Sequence, residues 1–106
     1  MNWIHESINK SKIDIFIKDQ LPPSIDPDLV FSTFKRLVPS HLLSGVDIIY
    51  IGKFDVFKEK EVNAVFQDGA IYVTNEQSSN KDMVDDIIHE LAHSVEEKFT
   101  EFIYDD

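Results

Sequence analysis

From Val84 to Phe102 the apolar residues Val84, Ile88, Leu91, Val95, Phe99 and Phe102 recur at spacings of three and four. That rhythm predicts a long final helix with a single apolar stripe. Ser79, with Asp82 three residues on, resembles a capping box and marks where the helix opens after the polar connector NEQSSNKD. A helix of this kind is held mainly by packing of its apolar face, not by propensity. The rest of the chain must therefore supply an apolar surface large enough to receive it.

Upstream segments read as that surface. KIDIFIK (Lys12 to Lys18) and VDIIYIG (Val46 to Gly52) are Ile-rich runs of strand length. Between them, Asp26 followed by Pro27 sets an N-cap and first helical position. Phe31, Phe34, Leu37 and Val38 then follow at helical spacing, so an amphipathic helix is expected from Pro27 to Val38, stopped by Pro39. EVNAVF (Glu61 to Phe66) and AIYVT (Ala70 to Thr74) read as two strands joined by a tight turn at Asp68-Gly69, residues that accept positive backbone angles. The expected order is β-α-β-β-β-α, an α+β arrangement. With 106 residues the chain suffices for one core and not for two, so a single domain over residues 1–106 is expected.

A formal net charge of -10 repels polyanions, which argues against nucleic acid and anionic membrane surfaces as partners. No apolar run is long enough to span a membrane, and MNWIHESINK lacks the basic start and apolar stretch of a signal peptide. A cytoplasmic location is the resulting expectation. The chain has no Cys, so any metal must be held by His, Asp or Glu.

Within the final helix lies IIHELAHSVEE (Ile87 to Glu97). At about 100° per residue, His89 and His93 sit about 40° apart and roughly 6 Å apart along the axis, so both imidazoles can share one ion. The apolar stripe is centred about 150° from them, which makes buried core histidines a poor reading. Asp82, Asp85, Asp86, Glu96 and Glu97 share their side, so a solvated acidic face with ordinary helix pairs is the plainer alternative. His-Glu-x-x-His would nevertheless arise by chance in only about one shuffled chain of this composition in a hundred, which favours the chemical reading. Neutral imidazoles bind Zn²⁺, the ion lowers the pKa of its water toward about 7, and an adjacent carboxylate accepts the proton. Glu90 is placed for that role. His5 and His41 have no such context and read as surface residues.

These residues resemble the zincin metallopeptidases, and among them the thermolysin-like gluzincins. HELAHSV is similar to their His-Glu-Leu-Thr-His-Ala-Val, and Asp85 matches an Asp four residues before the first ligand. NAVFQDGAIYV (Asn63 to Val73) looks like the segment beginning Asn-Ala-Phe-Trp that leads, through a Gly turn and a second strand, to the active-site helix. FIY (Phe102 to Tyr104) falls where such enzymes have a similar apolar-Ile-Tyr. The size resembles the minigluzincins. The resemblance implies a zincin-like upper subdomain, a mixed twisted sheet with a backing helix and an active-site helix. It further implies zinc-dependent hydrolysis of a peptide or protein, with His89 and His93 as metal ligands and Glu90 as general base. Asn63 and Ala64 would lie on the edge strand that binds substrate main chain.

Gluzincins take a third ligand from a Glu on a following helix, and only thirteen residues follow His93. The resemblance therefore implies the upper part of a catalytic domain without its third-ligand helix, with Glu96, Glu97 or Asp105 as the substitutes within the chain. Peptide deformylase, which shares His-Glu-x-x-His, completes its site with Cys and is disfavoured. From a different class, a zincin-like module that binds peptides without cutting them is the competing expectation.

Overall fold

Five strands form one mixed sheet in the order β1-β2-β3-β5-β4, where β1 is Asn2–Ile8, β2 Ser11–Ile17, β3 Ile48–Ile51, β4 Ala64–Gln67 and β5 Ala70–Val73. The computed structural model describes the backbone of residues 2–8 and 11–104, and the side chains of 13–39 and 41–96. Strands β2, β3 and β5 run parallel through the centre, while β1 and β4 are antiparallel edges. Ile13, Ile15 and Ile17 of β2, Ile49 and Ile51 of β3, and Ile71 and Val73 of β5 are buried in a common core cluster. This alternation is why the Ile-rich runs become strands: one face of each packs into the core, while Phe16, Tyr50 and Tyr72 on the other stay half-buried in a cluster of rings.

Two helices supply the other half of the core. Helix α1 (Pro27–Leu37) buries Val30, Phe31 and Phe34. Its N-cap is Asp26, whose Oδ1 accepts from the N–H groups of Asp28 (3.0 Å) and Leu29 (3.4 Å). Val38 is already extended, as a residue before proline must be, so the helix ends where expected. Helix α3 (Asn80–Tyr104) opens with Ser79 Oγ accepting from the Asp82 N–H at 3.1 Å. The two helix starts are joined by the Asp26 N–H donating to Asn80 Oδ1 at 2.8 Å. Among the described residues no helix is long and apolar enough to cross a membrane.

The α+β class and the mixed sheet are as expected, and the structure adds elements to the expected order. Strand β1 was not anticipated, because Asn, His, Glu and Ser interrupt its Trp and Ile residues; it forms by pairing along the whole of β2. Residues 40–43 make a 3-10 turn. A short helix α2 (Asp55–Lys60) precedes β4, and Glu61, expected as the first residue of a strand, instead takes a left-handed conformation (φ 54°) that ends α2. The Val62 N–H then donates to Phe57 O at 3.1 Å, so the strand starts only at Ala64. The β4–β5 turn is as expected: Asp68 (φ 51°) and Gly69 (φ 80°) both take positive φ, the pattern of a two-residue hairpin that matches strand twist.

Gly52 is required by close approach. A Cβ there would stand 2.8 Å from Asp19 Oδ2 and 2.9 Å from Lys18 Cβ. The same Asp19 Oδ2 accepts from the Lys53 N–H at 2.7 Å, tying the end of β3 to the chain leaving β2.

Candidate metal centre

The buried side of α3 is Met83, Val84, Ile87 and Leu91, with Ser94 also enclosed and its Oγ donating to Leu91 O at 2.6 Å. This corrects the expected stripe. At about 100° per residue the packed face is turned about 60° from the Val84-Ile88-Leu91-Val95 line, because Met83 and Ile87 are fully buried in the core cluster. Ile88 and Val95 are only half-buried, and they line an apolar groove with Leu37, Leu42 and Ala92. The side chains of Phe99 and Phe102 lie outside the described residues. His41 is exposed, as expected, and the His5 side chain lies outside the described residues.

The rotation leaves the histidines in place. His89 and His93 are exposed, with ring centroids 4.9 Å apart and planes at 89°. Glu90 sits between them and the core, and only 8% of it is exposed. One donor atom from each of His89, Glu90 and His93 lies within 4.8 Å of the others, a group that can hold a metal ion. Donors at about 2.0–2.1 Å from a tetrahedral ion stand roughly 3.3 Å apart, a difference that rotation of the two exposed rings can close. Two imidazoles and a carboxylate are donors suited to a divalent transition metal ion.

His89 and Glu90 open into a cleft of about 210 Å³ whose opposite wall is Val62, Asn63 and Ala64, with Asp86 at its side. The wall is the start of edge strand β4. Thr74 N–H donates to Asn63 O at 2.9 Å, so residues 63 and 74 form a hydrogen-bonded pair of the antiparallel ladder. By alternation the next such pair is Val65 with Tyr72, which turns the backbone N–H and C=O of Ala64 and Phe66 outward, away from the sheet. Among the described residues nothing pairs with the outer side of β4, so a strand edge with its peptide groups presented lies beside the group of His89, Glu90 and His93.

Asp86 was anticipated only as part of an acidic face, yet it walls the cleft. Its carboxyl is pushed above the ordinary aspartate range, first by burial, then by the nearby Asp82 and Asp85; a hydrogen bond from Gln77 Nε2 (3.2 Å) and the proximity of His89 act the other way. The signal was available in the sequence, because Asp86 precedes His89 by three residues and i,i+3 neighbours share a helix side.

Of the expected site residues, the fold brings His89, Glu90, Asn63 and Ala64 to one cleft and gathers His93 with the first two. Glu96 is not in the metal-binding group. It lies seven residues, about 10.5 Å along the axis, from His89, and borders the apolar groove instead. The side chains of Glu97 and Asp105 lie outside the described residues. In comparison with known proteins, no family model matches the chain, and no curated protein or solved structure matches it.

Proposed function

We propose that this chain acts as a zinc-dependent peptidase of the gluzincin type. The observation that carries the reading is that His89 and Glu90 line one cleft with the free edge of β4. Metal ligands, a carboxylate and a main-chain binding strand are the three parts that peptide hydrolysis needs side by side. His89 and His93 hold the ion as neutral imidazoles. A bound Zn²⁺ supplies Lewis acidity to the scissile carbonyl and to water. The chain's own residues do the rest. Ala64 and Phe66 add the substrate as a further antiparallel strand through their outward peptide groups, and the side chain of Asn63 lies at the end of that strand to orient it. Glu90 takes a proton from the attacking water at a carboxylate oxygen and passes it to the departing amine nitrogen. The substrate is a peptide or protein, and the cytoplasm is the proposed location.

One observation favours a second reading. Among the described residues no third protein ligand joins the histidine pair once Glu90 serves as base, and two imidazoles hold zinc weakly. A zincin-like module that binds peptides along β4 without cutting them has the same surfaces. Zinc content and peptide turnover of the wild type, compared with His93→Ala, separate these outcomes. The peptidase reading expects bound zinc and cleavage in the wild type and loss of both in the variant. Equal zinc in the two proteins overturns the metal site, and zinc with bound but uncut peptide leaves the binding module.

A further inference from the structure

Two carboxylates precede His89 by about one turn, Asp85 and Asp86, and the structure holds them differently. Asp85 is exposed, and its Oδ2 accepts from Lys81 Nζ at 2.7 Å in an i,i+4 pair. Asp86 is half-buried and lines the cleft shared by His89 and Glu90. Its Oδ2 accepts from Gln77 Nε2 at 3.2 Å, and the same nitrogen donates to Thr74 O at 3.0 Å, so both hydrogens of that amide are used. The Asp86 carboxyl is thereby tethered to the residue that follows β5. Among the described residues no other hydrogen bond is made to this carboxyl, which leaves an oxygen for a donor in the cleft.

We infer that Asp86 is the positioning residue for His89: its carboxylate accepts the hydrogen on the ring nitrogen turned away from the metal, and so sets the tautomer and orientation of that ligand. The inference rests on the metal centre of the proposed function and not on peptide cleavage. His89 lies three residues on, about 60° around the helix and roughly 4.5 Å along its axis. Helical side chains lean toward the helix start, which brings its ring back over Asp86, just as His93 leans toward His89 to bring the two rings within 4.9 Å. The three therefore follow one another along one side of α3 with the His89 ring in the middle. An imidazole that gives one nitrogen to a metal carries a hydrogen on the other, and a carboxylate there raises its basicity as a ligand. Glu90 is kept for the attacking water and Asp85 for Lys81, which leaves Asp86 for this hydrogen. Such a partner is typically worth about 10–100-fold in metal affinity, and a site with two imidazole ligands has the most to gain from it.

The test is the zinc affinity of the full chain, measured by competition with a chromophoric chelator and read beside nitrogen NMR of the histidine rings. Asp86→Asn keeps the side-chain volume and removes the charge, and is expected to weaken zinc binding about tenfold. Asp85→Asn removes the same charge from the neighbouring position and is expected to stay within about twofold of wild type. In the zinc-loaded wild type the ring N–H of His89 should exchange slowly with water. Asp86→Ala should speed that exchange while leaving the His93 ring unaffected, a selectivity that general loosening of α3 would not produce. Equal zinc affinity in wild type and Asp86→Asn, equal weakening by Asp85→Asn, or an unchanged His89 ring signal in Asp86→Ala would each overturn the role. Failure of the peptidase reading is distinct: a wild type that binds zinc with this pattern and cuts no peptide leaves the role of Asp86 standing, whereas a wild type that binds no zinc overturns both.

Discussion

Glu90→Gln tests the chemistry while disturbing little else. The carboxylate is enclosed on the core side and faces the metal-side cleft on the other. Gln has nearly the same volume and a similar helix propensity, so the cost to α3 should be no more than a few tenths of a kcal/mol. The two imidazoles are untouched, and zinc content should stay at the wild-type level. What disappears is the proton acceptor. General-base catalysis contributes about 10²–10⁴ in rate, equivalent to about 2.7–5.4 kcal/mol of barrier at 1.36 kcal/mol per tenfold. The assay pairs metal analysis with cleavage of a quenched fluorescent peptide, both on the same preparation. A fall in kcat of a hundredfold or more at constant zinc is the expected outcome. Undiminished turnover with zinc still bound would show that another group takes the proton. Loss of zinc in the variant would show instead that Glu90 is a ligand, and that the group's third donor is this carboxylate.

Three further outcomes follow from the fold. Gly52→Ala places a methyl group within 3 Å of Asp19 Oδ2 and Lys18 Cβ, and should lower stability by about 1–3 kcal/mol; an unchanged melting temperature contradicts the close approach. Glu61→Gly relieves a left-handed backbone at the end of α2 (φ 54°) and should raise stability by roughly 0.5–1 kcal/mol, with a lower denaturation midpoint as the contrary result. Asp86→Asn removes a carboxyl whose folded pKa is raised by burial. A raised folded pKa means the folded state binds more protons, so the wild type loses stability as pH climbs through that pKa and is fully penalised above it. The metal-stripped variant should therefore melt higher than wild type near neutrality, with the gap closing as pH falls into the ordinary aspartate range; a gap that widens in acid refutes the assignment.

Much of this architecture was legible because its signals are local. Asp26-Pro27, Val38-Pro39, Ser79 with Asp82, and Asp68-Gly69 each carry their own geometry, and each sits where its chemistry requires. What was not legible depends on partners far away in sequence. Strand β1 has too little apolar alternation to announce itself and forms against β2. The segment Glu61 to Asn63 was expected to open the strand through Val62, but α2 extends up to it and Glu61 turns the chain, so β4 begins later. The buried face of α3 was misplaced for a related reason. A periodic stripe gives a helix two adjoining apolar rows, and only tertiary packing decides that Met83 and Ile87 join the core while Ile88 and Val95 border an open groove. The histidine pair was legible because its spacing alone fixes its geometry, whereas Asp86 enters the site through the cleft that β4 completes.

The edge position of β4 ties the candidate site to the fold. If β4 were interior, its two flanks would be occupied and Ala64 and Phe66 would have no peptide groups to offer. Reversal of direction at Asp68-Gly69 instead sends β5 inward to pair with β3 and leaves β4 outermost, beside α3. The same reversal leads from β5 through the Thr74 to Ser79 connector into α3 itself, so one hairpin sets both the strand edge and the start of the helix that bears His89 and His93. Met83, Val84 and Ile87 of α3 belong to the core cluster and do not line the cleft, so their packing is expected to set the distance across it. Ile87→Ala, which empties a fully buried position two residues from His89, should cost about 2–5 kcal/mol of stability and weaken zinc binding as well, because the helix can settle toward the vacated space. If the stability loss appears while zinc affinity holds, the cleft is fixed by the helix ends and not by its core face. The joint at Asp26 and Asn80, where the starts of α1 and α3 are tied, is then the place to cut, and Asn80→Ala should loosen zinc where Ile87→Ala did not.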